Sequence, residues 1–99
     1  MTNEVFVTIL ESRINAMRET LAAKAKEYAT SDRLHNFKRS ARLLDCSPPQ
    51  ALLGFLTKHL VSIVDMVQAG NHPISQWDEK IGDAINYLVL LEAIVKESA

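Results

Sequence analysis

The sequence predicts an all-α protein, a helical bundle of three long helices and one short one, with a core expected to be completed by dimerisation. Three observations lead there. Hydrophobic residues make up 47% of the chain and recur at three- and four-residue steps, with no strand-like alternation. Only three glycines and three prolines punctuate the chain, so the helices between them are long. With 99 residues the chain makes one domain, 1–99, and a domain of this size buries only a modest share of its surface.

The first helix is expected from about Asn3 to Tyr28. Val7, Leu10, Ile14, Met17, Leu21 and Tyr28 form its stripe, which Lys24 interrupts. It is longer than the average helix of about 11–12 residues, which suits a helix spanning the domain or lining a subunit interface. Ala29-Thr30-Ser31 makes the first break. Asp32 is the expected cap of a short second helix, about Arg33 to Leu44, with Leu34, Phe37, Ala41 and Leu44 on its stripe. Asp45-Cys46-Ser47 is the second break.

Ser47-Pro48-Pro49-Gln50 is the clearest start signal: serine as cap, proline at the first helical position, glutamine three residues after the cap. The third helix then runs to about Ala69 on a stripe of Leu52, Leu56, His59, Ile63 and Met66, with Phe55 and Leu60 beside it. Gly70-Asn71-His72-Pro73 ends it. The fourth runs from near Ser75 to about Glu97, with Trp77, Ile81, Ala84, Leu88, Leu91 and Val95 as its stripe. The stretch from Ala84 to Leu91 is apolar apart from Asn86 and Tyr87. A helix apolar on most sides is buried on most sides, which again points to a homodimer or higher homo-oligomer.

Net charge is −1, so no global field draws the protein to nucleic acid or to a membrane. The charge is uneven. Lys24 to Arg42 carries six basic residues against two acids, and Gln76 to Glu97 carries five acids against two lysines. A basic segment facing an acidic one suits a phosphate-plus-metal site, and it equally suits helix pairing. The lone Cys46 excludes an internal disulfide and fits a reducing compartment. Neither a leader nor an apolar run of about 18 residues is visible, so a cytoplasmic location is expected.

The most informative run is Glu79-Lys80-Ile81-Gly82-Asp83-Ala84-Ile85-Asn86-Tyr87. Residues four apart share a helix face, so Glu79, Asp83 and Tyr87 stack on one side and Asn86 borders it. Two carboxylates a turn apart repel each other, and a divalent cation relieves that; Mg²⁺ often uses one or two carboxylates plus substrate phosphates. The plainer alternative is a solvated face with two acids on it. Asn86, among apolar neighbours, either holds helix register or reaches a ligand, because a buried amide needs a partner. Tyr87 supplies a stacking face or packs.

On the third helix, Lys58, Ser62 and Asp65 share a face, and His59 falls on the apolar stripe. Lys58 either holds a phosphate or pairs with an acid, and His59 is either a core histidine or a ligand. Asn36 and the cations near it either cap the second helix or recognise a base or sugar-phosphate. No Gly-rich phosphate loop, His-Glu-x-x-His, paired Cys-x-x-Cys or Gly-x-Ser-x-Gly motif occurs. The second helix is too short and too mixed to argue for sequence-specific DNA reading.

Tyr28, then Asn36-Phe37, then Lys58 within a helix, then Glu79-x3-Asp83-x3-Tyr87 on a last helix together resemble small phage- and bacteria-encoded proteins related to the MazG-like nucleotide pyrophosphohydrolases, including a group associated with nucleotide modification. The resemblance covers about Lys24 to Glu92. It implies an all-α fold and a Mg²⁺-dependent nucleoside triphosphate pyrophosphohydrolase acting on ribo- or deoxyribonucleotides. Glu79 and Asp83 would hold the metal with Asp65 as a third ligand. Lys58 would hold phosphate, and Asn36 and Tyr87 would contact base or sugar, with Asn86 and His59 beside them.

The sequence departs from the family's two acidic pairs. The second is spaced Glu79-x3-Asp83 rather than Glu-x2-Asp, and where the first would stand the third helix offers Lys58, His59, Ser62 and Asp65. A relative that binds a nucleotide without hydrolysing it fits that departure. The missing pair also favours a second expectation, a non-catalytic and phage-encoded helical oligomer acting as a protein-interaction module. A third and weaker one is a single-stranded nucleic-acid binder using the Lys24–Arg42 segment, with affinity falling steeply with salt.

Overall fold

The computed structural model describes residues 1–24 and 32–99. Among them the chain is all-helical: α1 Asn3–Lys24, α2 His35–Leu44, α3 Pro48–Ala69 and α4 Ile74–Ser98. The expected continuation of the first helix through Tyr28, and the break at Ala29-Thr30-Ser31, lie outside the described residues.

The helix ends follow local chemistry. Asp32 accepts a hydrogen bond from the Leu34 N–H at 3.0 Å, which builds a turn ahead of the helix, and α2 begins at His35 rather than Arg33. Asp45 closes α2 in the left-handed conformation, φ 54°. At α3 the reciprocal capping box forms: Ser47 Oγ accepts from the Gln50 N–H at 3.3 Å, and Gln50 Oε1 accepts from the Ser47 N–H at 2.9 Å. Pro48 opens the helix, where its missing N–H costs nothing. Gly70 ends it at φ 72°, a conformation a side chain resists.

The core lies between α2, α3 and α4. Leu34, Phe37, Leu52, Leu56, Ala84 and Ile94 are buried together, with Ile63, Tyr87, Leu90 and Leu91 packed on them. The α3 stripe turns inward as its spacing predicts, and Leu52 is fully buried. The α4 stripe is rotated from the expected one. Ile81, Leu88 and Val95 are exposed, while Gly82 and Ile94 are buried, because α4 is clasped by α3 on one side and α1 on another. Lys38 ties α2 to the end of α4, reaching Asp32 at 2.7 Å and Glu97 at 2.5 Å.

Helix α1 is placed differently from the rest. Among the described residues it packs on α4 alone and runs parallel to it: Arg13 meets Asp78, and further along Thr20 lines a cleft with Asn86 and Leu90. Ile14, Met17 and Leu21 are half-buried, but Val5, Phe6, Val7, Ile9 and Leu10 are exposed. No apolar run of span length is expected from the sequence, but helix α3 has the length and mean hydropathy (1.3) of a membrane span by composition alone; 22% of that window is buried in the bundle, and it contains Lys58 and Asp65.

Candidate functional site

The α3–α4 interface is antiparallel and brings two sets of i, i+4 residues together. Phe55 and His59 on α3 meet Asp83 and Tyr87 on α4, and Phe37 of α2 closes the cluster. The His59 ring stacks on Tyr87 at 5.1 Å between centroids, inclined by 30°. Phe55 lies parallel to Tyr87 at 6.4 Å. Phe37 meets both edge-on, at 6.0 Å from Phe55 and 6.4 Å from Tyr87. Such edge-to-face pairs are the favoured arrangement of ring quadrupoles. His59 Nδ1 stands 3.6 Å from Asp83 Oδ2, so a carboxylate sits directly beside the aromatic wall.

These rings line an open cleft of about 550 Å³, which Thr20 and Leu21 of α1 and Asn36 of α2 complete. A second groove of about 710 Å³ runs between α1 and α4. Its polar lining includes Ser12, Arg13, Asp78 and Glu79. Thr20, Asp83 and Asn86 line both spaces, so the aromatic cleft and the acidic groove adjoin along one edge of α4. The Asn86 side-chain oxygen is buried there with no hydrogen-bond partner. A buried amide oxygen left unpaired is destabilising by about 1–3 kcal/mol; with less than 1 Å² accessible, it would meet a ligand donor only if the Asn86 side chain turned toward the cleft.

The residues singled out from the sequence divide into two groups. Asn36, His59, Asp83, Asn86 and Tyr87 come together in the aromatic cleft, and Glu79 joins Asp83 in the adjoining groove. Lys58 and Asp65 do not join them. Both are exposed, both lie on the side of α3 turned away from Leu52 and Leu56, and neither lines either space. Tyr28 lies outside the described residues. From the sequence Phe37 was a stripe residue and part of the family motif, Phe55 a neighbour of the α3 stripe, and neither Arg13 nor Thr20 was given a part. Arg13 had a signal: it is a cation on the stretch of α1 whose neighbours Ile14 and Met17 pack inward.

The donor set limits what metal the site could hold. Among the described residues no group of three or more histidine, cysteine, aspartate or glutamate side chains is placed to take a metal ion. Glu79 and Asp83 provide two carboxylates, and Asp65 provides none to this site. A hard cation here would draw its remaining oxygens from water and from a phosphorylated ligand, which is how Mg²⁺ is commonly bound.

No known protein family, characterised protein or solved structure matches the chain. The fold and the site alone define it as an all-α bundle with an aromatic cleft beside a pair of acids.

Proposed function

We propose that this chain is a cytoplasmic nucleotide-binding protein, related to the MazG-like nucleotide pyrophosphohydrolases. The observation that carries the reading is the ring wall of Phe37, Phe55, His59 and Tyr87 beside Asp83. A nucleobase stacks on such a wall, at about 1–3 kcal/mol per base. Asn36 and Asn86 offer amides to its edge or to the sugar. The phosphates then lie toward the groove of Glu79 and Asp83, whose carboxylates would hold a Mg²⁺ that offsets the phosphate charge. Arg13 flanks the same groove. Two carboxylates support binding more directly than hydrolysis to a monophosphate and pyrophosphate, which is the reaction the resemblance implies.

The test is thermal unfolding with and without Mg²⁺, across a panel of ribo- and deoxyribonucleoside triphosphates. A ligand that binds only the folded state at 100 times its Kd adds about 2.7 kcal/mol. For a domain of this size that is a rise of roughly 10 °C or more. The expected result is a Mg²⁺-dependent rise for at least one nucleotide, lost in Tyr87→Ala and in Asp83→Ala. A panel without any shift, or a shift that survives both substitutions, overturns the reading. Pyrophosphate release under the same conditions decides whether the bound nucleotide is cleaved.

A further inference from the structure

On α3, Leu53, Thr57, Leu60, Val64 and Val67 recur at alternating four- and three-residue steps. That is the spacing by which one helix presents a continuous seam to another. The seam flanks the stripe of Leu52, Leu56 and Met66, which are buried in the bundle. Its apolar members are bare: Leu53 is 53% exposed, Leu60 43%, Val64 54% and Val67 65%. Lys58 and Asp65, the charged residues nearest in sequence, lie off it. We propose that this seam is a homodimer interface in which α3 packs antiparallel on α3 of a second copy, with Leu60 on the two-fold axis.

Three observations select a second copy as the occupant. The seam is close to symmetrical about Leu60: reversing its direction sets Leu53 against Val67 and brings Thr57 and Val64 to within one residue of each other, as an isologous two-fold contact allows. The exposed area is too large for a self-sufficient protomer. It is 7237 Å², where a folded monomer of 11.1 kDa has about 5,700 Å². The excess of about 1,500 Å², taken over the whole protomer and shared with the exposed start of α1, exceeds the ~800 Å² that each partner buries in a standard interface. The radius of gyration, 15.5 Å, likewise exceeds the ~13 Å of a compact domain of this length. A lipid surface fits less well, because α3 has Lys58 as its one lysine or arginine and an interfacial helix carries a cationic border. The inference is independent of the nucleotide reading.

Light scattering at micromolar concentration tests it. The wild type is expected at twice 11.1 kDa, and Val64→Glu at the protomer mass with its helical circular dichroism retained, since the substituted side chain is exposed within the protomer. A monomeric wild type, or a dimer unchanged in Val64→Glu, overturns the proposal. If Val64→Glu fails to fold, cysteine cross-linking in a Cys46→Ser background decides. Leu60→Cys should form a disulfide-linked dimer with its own copy. Leu53→Cys should not, because its two copies stand roughly 21 Å apart along the paired helices, beyond disulfide reach. Equal linking of both, or of neither, overturns it. So does a monomeric wild type that binds neutral lipid vesicles and loses that binding in Val64→Glu, which would assign the seam to a lipid surface.

Discussion

The guanidinium of Arg13 lies over Gly82, with Nη1 only 2.6 Å from where a Cβ on that glycine would stand. The absence of a side chain at Gly82 lets the arginine of α1 cross the α4 backbone. There its Nη2 donates to the Asp78 carbonyl at 3.0 Å and faces the Asp78 carboxylate at 3.8 Å. Gly82→Ala would push the end of a flexible side chain rather than a backbone. The lost contact, about 0.2–1 kcal/mol for a partly exposed pair, is offset by the ~0.8–1 kcal/mol that alanine gains over glycine inside a helix. Gly82→Ala is therefore expected within about 1 kcal/mol of wild type in urea unfolding. Arg13→Ala has no compensating term and is expected to be less stable. A loss above about 2 kcal/mol in Gly82→Ala would mean that α1 cannot yield at this crossing.

Leu52 is the one large side chain with no exposure at all among the described residues. Truncating it removes apolar contacts on every side and leaves a cavity between α2, α3 and α4. Leu52→Ala is expected to destabilise by roughly 2–5 kcal/mol, lowering the melting midpoint by about 8 °C or more. The seam residue Leu53, one position along, is exposed in the protomer, so Leu53→Ala should change protomer stability far less. Denaturant titration of the two variants, under conditions where the chain is monomeric, checks the contrast.

The capping box at the start of α3 gives a graded prediction. Ser47→Ala removes the acceptor for the Gln50 N–H and should reduce stability by about 0.5–2 kcal/mol. Gln50→Ala removes the return bond to the Ser47 N–H, at a position open to water, and should matter less. Thermal unfolding of both variants measures the order, and a reversed order would show that the return bond governs this helix start.

The Lys38 clamp should be sensitive to pH at both ends of the scale. The hydrogen bond from Lys38, and next the one from the Leu34 N–H, hold the Asp32 carboxyl below the usual aspartate range. The bond to Asp32, and next the one to Glu97, raise the Lys38 ammonium above its usual value. A depressed acid stabilises above its unfolded value, and that contribution is lost as pH falls through the folded one. A raised base stabilises below its unfolded value, and that contribution is lost as pH rises through the folded one. Lys38→Met should therefore lower the melting midpoint at neutral pH. The difference from wild type should shrink below the ordinary aspartate value of ~3.9 and again above the ordinary lysine value of ~10.4. A difference that holds constant from acid to alkali would exclude the ion pairs as its source.

The helices were legible from the sequence because their signals are local. Ser47, Pro48 and Gln50 carry the whole instruction for starting α3, and Gly70 the instruction for ending it. The inward stripe of α3 was readable for the same reason, since one face of that helix packs against both α2 and α4. The rotation of α4 was not, because the burial of Gly82 depends on an arginine contributed by α1, far away in sequence. The site divides along the same line. Spacing put Asp83 and Tyr87 on one face of α4, and the structure adds Phe37, Phe55 and His59 opposite them. Spacing also grouped Lys58 with Asp65, but a shared face on α3 says nothing about whether that face looks toward α4. It looks away.

The attachment of α1 has a consequence for the order of folding. Helices α2, α3 and α4 each find a packing partner next to them in sequence, so their contacts close short loops and form quickly. Among the described residues helix α1 has α4 as its partner, beyond the whole of α2 and α3, and closing a loop of that length carries an entropic penalty that the half-buried Ile14, Met17 and Leu21 help repay. The helix that precedes the others in the chain is thus the last to be secured. It is also expected to be the first released, at a free energy below that of global unfolding. Its departure would open the groove between α1 and α4 while the aromatic wall on α2, α3 and α4 stays assembled.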